Sequence, residues 1–228
     1  AINEGLRIGA KMHRLDEAWW CNTISVPGEE IPRLSIMEKS YPGSIMVNPA
    51  GERFSNESQN YMAFQQETFA KHSDENPLNP TWQIFDATFR ATYFVGPLYN
   101  SKFMPDWALP KRYEEQGFFA KADTIEELAR KIHVDASGLE ESVRKMNEFA
   151  RSGEDTDLHR GESAYDRYYG DPRVTPNPCL ASIDKPPYYA IKVDPGDFGT
   201  QGGMVVNADA QVLHENGHVI EGLYARSE

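Results

Sequence analysis

Two kinds of residue in this chain could do chemistry, its tyrosines and its glycines. Eleven tyrosines are present, and Tyr165, Tyr168, Tyr169, Tyr188 and Tyr189 cluster. A phenol both donates and accepts a hydrogen bond, but its unperturbed pKa is about 10. As a base it needs help from a neighbouring hydroxyl or positive charge. Most tyrosines are half-buried packing residues, so clustering alone singles out none of them. The glycines stand in DPGDFGTQGGMVV at 194–206, where Gly199, Gly202 and Gly203 interrupt strand formers just before an apolar run. Glycine inside a strand weakens it, and marks a tight strand entry or the close approach of another backbone or a flat ligand.

Other chemistries find little support. The six histidines are scattered singly. His214 and His218 share an i,i+4 spacing, but HENGH straddles a turn and no HExxH is present, so a zinc site is not supported. There is no GxSxG and no Walker loop. GTQGG runs into a strand rather than a helix, which excludes it as a dinucleotide fingerprint. Cys21 and Cys179 are the only cysteines, too few for a disulfide framework or a two-cysteine metal motif.

The elements that must position these residues can be read in outline. The chain has 228 residues, 39% hydrophobic and 11% aromatic, enough for real cores. Its formal charge is −12, with both signs mixed along the chain, so no basic surface for nucleic acid is expected. No run of apolar residues is long enough to span a bilayer and no leader pattern opens the chain, which predicts no stable membrane insertion and a cytoplasmic location. A helix of mixed phase is expected over 4–17, a hairpin from Ile45 to Phe54, a helix over NYMAFQQETFAKH and a buried strand at TWQIFDA. Thr124 with Glu127, and Ser137 with Glu140, form capping-box patterns before apolar repeats. They predict two antiparallel helices with Leu128, Ile132, Leu139, Val143 and Met146 buried. Residues 152–187 are expected as a long ordered loop, followed by short strands from Tyr188. The ends, one already in helical pattern and one just past an apolar run, suggest a piece of a longer protein.

Several of these segments resemble a known family. GDFGTQGGMVVNADAQVLHENGHVIEGLYA resembles the later part of flavoproteins of the fumarate reductase/succinate dehydrogenase superfamily. SAYDRYYGDP at 163–172, followed by PPYYAIKVDPGDFGTQGG at 186–203, is similar to the 3-ketosteroid Δ1-dehydrogenases, and IMVNPAGERFSNES at 45–58 matches the superfamily hairpin. The resemblance implies an α+β fold: the catalytic cap domain of a fumarate-reductase-like flavoprotein with partial flanking FAD-domain pieces. Residues 1–29 would end the first FAD segment, 30–187 would form the cap, and 188–228 would begin the returning FAD segment.

The chemistry so implied is 1,2-desaturation of a 3-ketosteroid, with a proton leaving C2 for a base and a hydride leaving C1 for FAD. An external electron acceptor would complete the cycle. FAD is expected in the complete protein and not in these residues alone, since they lack GxGxxG. By resemblance the base is Tyr61, three residues after Ser58, with Tyr93 in reserve, while Asn56 and Glu57 are read as local structure or active-site support and not as the base. The implied flavin contacts are Gly5, Gly199, Thr200, Gly202, Gly203 and Glu228. Some positions depart from the family pattern: Glu4 stands for Asp, and Arg226 and Ser227 stand for small residues. Gln201 replaces a common Lys or Cys. The competing readings are a superfamily reductase for a carboxylic or unsaturated substrate, and a ligand-binding cap without activity. A carboxylate would need Arg and His, whereas Asp194, Asp197 and Phe198 precede GTQGG.

Overall fold

The computed structural model describes residues 1–226, so the expectation for Glu228 lies outside the described residues. The chain runs α1 (Ile2–Arg7), β1 (Met12–His13), β2 (Ala18–Ile24), β3 (Arg33–Ser35), β4 (Ser44–Val47), α2 (Tyr61–Lys71), β5 (Thr81–Phe85) and α3 (Ala87–Thr92). It continues through α4 (Arg112–Glu115), β6 (Phe119–Ala122), α5 (Ile125–Ile132), α6 (Ala136–Ser152) and α7 (Ala164–Tyr168). The last elements are β7 (Tyr188–Thr200), β8 (Gly203–Met204), β9 (Gln211–Leu213) and β10 (Val219–Tyr224). Helix and strand are mixed, and the chain divides into two compact units, Cys21–Gly196 and Ala1–Trp20 with Asp197–Glu228. Among the described residues no helix is long and apolar enough to cross a membrane.

The larger unit is built on a sheet of order β3-β2-β7-β5-β4, with β6 also paired to β7. β7 runs antiparallel to β5, from Thr81 opposite Val193 to Phe85 opposite Tyr189. Because strand side chains alternate between faces, β4, β5 and β7 feed two cores. Ile45, Val47, Trp82, Ile84 and Ala190 pack with α5 and α6 through Leu128, Ile132, Leu139, Val143 and Met146. Met46, Phe85, Tyr189, Ile191 and Val193 pack on the other side with Phe54, Phe64 and Phe89. The five helix residues expected to be buried are all at most 6% exposed.

Local signals explain where the helices begin. Thr124 Oγ1 accepts from the Glu127 amide at 3.1 Å and starts α5 as expected. His133 ends α5 in the left-handed conformation. The start of α6 differs from the expectation: its cap is Asp135, whose Oδ1 accepts from Gly138 N at 2.7 Å, and Ser137 already lies inside the helix. Gly138 is there for closeness, since a Cβ would stand 1.9 Å from the Ala50 carbonyl oxygen. The hairpin at 45–54 reduces to a single bridge between Val47 and Arg53, and β4 takes β5 as its real partner. The loop expected at 152–187 contains the short helix α7.

In the smaller unit the helix expected over 4–17 stops at Arg7. Gly9 turns left-handed at φ +75°, and a Cβ on it would strike the His214 ring. The chain then enters β1, which pairs with β8, while β9 pairs with β10.

Candidate functional site

Tyr61 is the first residue of α2, and its place is set by the cap before it. Asn60 Oδ1 accepts from the Met62 amide at 2.9 Å, and Asn60 Nδ2 donates to the Tyr165 hydroxyl at 3.2 Å. One side chain therefore starts the helix and ties it to α7. Asn56 acts similarly one turn earlier. Its Oδ1 accepts from Ser58 N at 2.8 Å and its Nδ2 donates to Asp166 at 3.0 Å.

Beneath this turn lies a buried polar network. Glu57 is fully buried, and both its oxygens accept from Arg53, at 2.8 and 2.7 Å. Arg53 also donates to Asp155 at 2.8 Å. Arg160, also fully buried, donates to Ser58 Oγ at 3.0 Å, to the carbonyls of Ser44 at 2.7 Å and Tyr41 at 2.9 Å, and to Glu57 at 3.3 Å. Burial alone would raise the Glu57 carboxyl, but the guanidiniums of Arg53 and Arg160 outweigh it and bring it down to about 2. These bonds give Asn56 and Glu57 a local structural role.

Above the network the side chains are aromatic. Tyr41 stacks on Tyr93 with ring centres 5.0 Å apart, and Phe94 meets Tyr41 edge-on at 5.8 Å. Tyr169 meets Tyr168 at 4.9 Å and Tyr165 at 6.2 Å, both edge-on. Burial raises the Tyr41 hydroxyl to about 12, and Tyr169 is close enough to add to the shift. Burial raises Tyr169 itself, and its neighbours Tyr165, Tyr168 and Tyr61 add to that. These rings thus form one neighbourhood, and Tyr168, Tyr165 and Phe94 remain exposed. An exposed aromatic surface of this kind suits a flat apolar ligand.

The two tyrosines singled out in the sequence sit differently. Tyr61 is half-buried at the helix start. Tyr93 ends α3, and its hydroxyl donates to Asp171 Oδ2 at 2.6 Å. Arg173 grips the same carboxylate at 2.6 and 2.9 Å. Burial, followed by the Asp171 carboxylate, pushes the Tyr93 hydroxyl well above its ordinary range. Its proton is therefore strongly held, the opposite of what a base requires. Asp155 and Arg160 had no signal in the sequence, because the groups they hold, Arg53 for the first and Glu57, Ser58 and the Ser44 and Tyr41 carbonyls for the second, lie about a hundred residues away and no short motif joins them.

In the smaller unit the glycines divide by what surrounds them. At Gly202 a Cβ would stand 2.0 Å from the Arg14 carbonyl oxygen, so close approach of this unit's own backbone demands glycine. At Gly5 it would stand 2.8 Å from both Met12 Cε and Met204 Sδ, a packing demand. At Gly199, with φ +152°, and at Gly203 a Cβ would meet nothing within 4 Å. Thr200 between them is exposed. An open, glycine-edged main chain with a free-standing hydroxyl is suited to a flat group such as an isoalloxazine. Among the described residues no group of three or more His, Cys, Asp or Glu could hold a metal ion.

Comparison with known proteins gives consistent matches. The FAD binding domain family matches residues 1–226. The chain is 40% identical over 223 residues to a 3-oxosteroid 1-dehydrogenase of Mycobacterium tuberculosis (strain ATCC 25618 / H37Rv), covering 96% of this chain and 38% of that protein. It is 38% identical over 230 residues to a 4-oxocyclohexanecarboxylate 2-dehydrogenase of Sinomonas cyclohexanicum, again covering 96% of this chain and 38% of the other. The crystal structure of 3-ketosteroid delta1-dehydrogenase from Sterolibacterium denitrificans, in complex with 1,4-androstadiene-3,17-dione, superimposes with a TM-score of 0.91 at 44% identity. That match covers 98% of this chain and 39% of the crystallised one. The chain thus spans about two fifths of the length of these relatives.

Proposed function

Since this chain belongs to the FAD binding domain family, we propose that it is part of a flavin-dependent dehydrogenase that introduces a C1–C2 double bond into 3-ketosteroids. The observation that carries this reading is the aromatic surface around Tyr61, built over a turn whose buried carboxylate, Glu57, is paired with Arg53 and Arg160. A flat apolar substrate can lie against such rings without stranding a polar group. A neutral phenol is also cheaper to bury beside it than a carboxylate. Tyr61 accepts the proton from C2, which the neighbouring ketone makes acidic, once its own phenolic proton has passed to a tyrosine of the first FAD segment, outside these residues. Tyr93, its proton held by Asp171, forms the wall with Tyr41 instead of acting as the base.

Bound FAD supplies the hydride acceptor. Gly199, Thr200 and Gly203 are the residues assigned to its ring, and Gly5 and Gly202 support them by packing. The larger unit is assigned as the substrate cap. An external electron acceptor and a cytoplasmic location complete the reading, the latter in keeping with a chain that has only two cysteines. A reductase acting on a dicarboxylate is less well served, because Arg53 and Arg160 under the turn already hold carboxylates and carbonyls.

The test is single-turnover flavin reduction by a 3-ketosteroid in the complete flavoprotein. Tyr61→Phe keeps the ring and deletes the proton acceptor, and is expected to slow the reaction by about 10²–10⁴ while the steroid dissociation constant stays within a few-fold. A reduction rate near wild type removes Tyr61 as the base and makes Tyr93→Phe the next variant. Absence of any steroid-dependent reduction in the wild-type protein overturns the substrate class.

A further inference from the structure

Lys39 has no part in the chemistry proposed above, yet it is one of the largest fully buried side chains, 1% exposed. It lies in a single helical turn, Glu38–Ser40. Its ammonium donates to the Glu57 carbonyl at 2.8 Å and to the Gln59 carbonyl at 2.7 Å. It also stands 5.0 Å from the centre of the Phe64 ring. Residues 57 and 59 lead into Tyr61, and Phe64 lies three residues beyond it on α2. One cation therefore grips the chain on both sides of the proposed base.

We propose that Lys39 is a positioning residue for Tyr61, its ammonium fixing the turn from which α2 starts and so the place of the phenol. This rests on the assignment of Tyr61 as the base. Stability alone does not account for a lysine here. Removing an ammonium from water is expensive, and burial, aided by Arg160, pulls its pKa down to about 7 against the opposing pull of Glu57, Asp166 and Glu38. A methionine would fill the same volume without a charge to desolvate. What it could not do is hold the carbonyls of residues 57 and 59 and a ring in one geometry. Small misplacements of a reacting group are costly, about 10²-fold for about 1 Å.

The experiment is a double-mutant cycle in the complete, flavin-loaded protein, read by single-turnover flavin reduction with a 3-ketosteroid and by steroid binding measured separately. Lys39→Met is expected to lower the reduction rate roughly 10–100-fold with the steroid dissociation constant within about threefold. The variant is expected to fold, because the Glu57 carbonyl keeps the Ser40 hydroxyl as a donor at 3.0 Å and the Gln59 carbonyl is only partly buried. In a Tyr61→Phe background the same substitution is expected to change the rate by less than about threefold, since groups that act through one another are not additive. Lys39→Gln retains two N–H donors on a shorter arm and should fall between wild type and Lys39→Met. It also completes the cycle if the Met variant does not take up flavin. A wild-type rate in the folded Lys39 variants overturns the proposal, and so does an equal loss with and without the Tyr61 hydroxyl. Tyr61→Phe alone reads the base assignment, so failure of that assignment is seen separately from failure of the clamp.

Discussion

Arg160→Met is the substitution whose cost the structure defines most fully. Arg160 reaches back more than a hundred residues to the turn before Tyr61, and its guanidinium is fully buried. Methionine keeps much of the apolar stem, so the loss is mainly polar. The Ser44 and Tyr41 carbonyls lose donors at 2.7 and 2.9 Å, and Ser58 Oγ loses one at 3.0 Å. A buried acceptor left unmatched costs about 1–3 kcal/mol. Glu57 keeps Arg53 but loses its second cation, and breaking a buried ion pair from one side costs about 3–5 kcal/mol. These terms overlap, because one guanidinium serves all of them, so the total is taken as about 3–5 kcal/mol. Equilibrium unfolding in guanidinium, followed by tryptophan fluorescence, should show the midpoint falling by about 1 M with the slope unchanged. Arg144→Met is the control: its ion pairs with Glu141 and Glu148 are about half exposed, and its midpoint should not move. An Arg160→Met midpoint equal to that of Arg144→Met would refute the argument that the network holds the turn in place.

Three further outcomes follow from single features of the fold. Leu139 is 0% exposed between α6 and the sheet, so Leu139→Ala should cost about 2–5 kcal/mol in the same unfolding assay. Glu57 has a folded pKa of about 2 against 4.5 ordinarily, so the stability it contributes is full above pH 4.5 and lost as pH falls toward 2, amounting to about 3 kcal/mol. Glu57→Gln should flatten that part of the acid-stability curve, and an unchanged curve would deny the depressed pKa. Gly202→Ala places a Cβ 2.0 Å from the Arg14 oxygen, whereas Gly203→Ala meets nothing within 4 Å. The first should lower the melting temperature of the chain and the second should leave it nearly unchanged.

What the sequence disclosed and what it hid divide along the range of the interactions. Thr124 and the apolar repeat behind it are local, and α5 begins where they indicate. The cap at Asp135 was hidden behind the Ser137–Glu140 pattern, and Gly138 lies inside the helix, where it lets the Ala50 carbonyl approach. The expected helix over 4–17 stops at Arg7, just before Gly9, where the ring of a histidine more than two hundred residues away leaves no room for a Cβ. The site shows the same split. Tyrosines that cluster in sequence at 165–169 also cluster in space. Lys39, Asp155 and Arg160 carry no pattern of their own, because each is defined by groups that the fold brings from elsewhere, backbone carbonyls for Lys39 and Arg160 and the Arg53 guanidinium for Asp155.

The two faces of the sheet in the larger unit are built from different materials, and this bears on how substitutions should sort. Against α5 and α6 the packing is almost wholly aliphatic, with Leu128, Ile132, Leu139, Val143 and Met146 meeting Ile45, Val47 and Ile84. On the other face Phe54, Phe64 and Met46 pack in the core, yet Lys39 stands over Phe64 and Glu57 accepts from the Met46 amide at 3.2 Å. Charge buried there is costly, and although loss of one partner destabilises, replacing the whole network by well-packed apolar residues is often neutral or stabilising, so stability does not explain its presence. The helix-side core supplies surplus stability, and the other face uses it to hold a turn, a helix start and a phenol in one arrangement. On this reasoning, truncations in the helix-side core should change the unfolding midpoint and leave the steroid-dependent rate of the folded protein unaltered. Lys39 and Arg160 should change the rate at denaturant concentrations where the protein is fully folded. A set of variants in which loss of rate simply tracked loss of stability, whichever face was altered, would contradict this division.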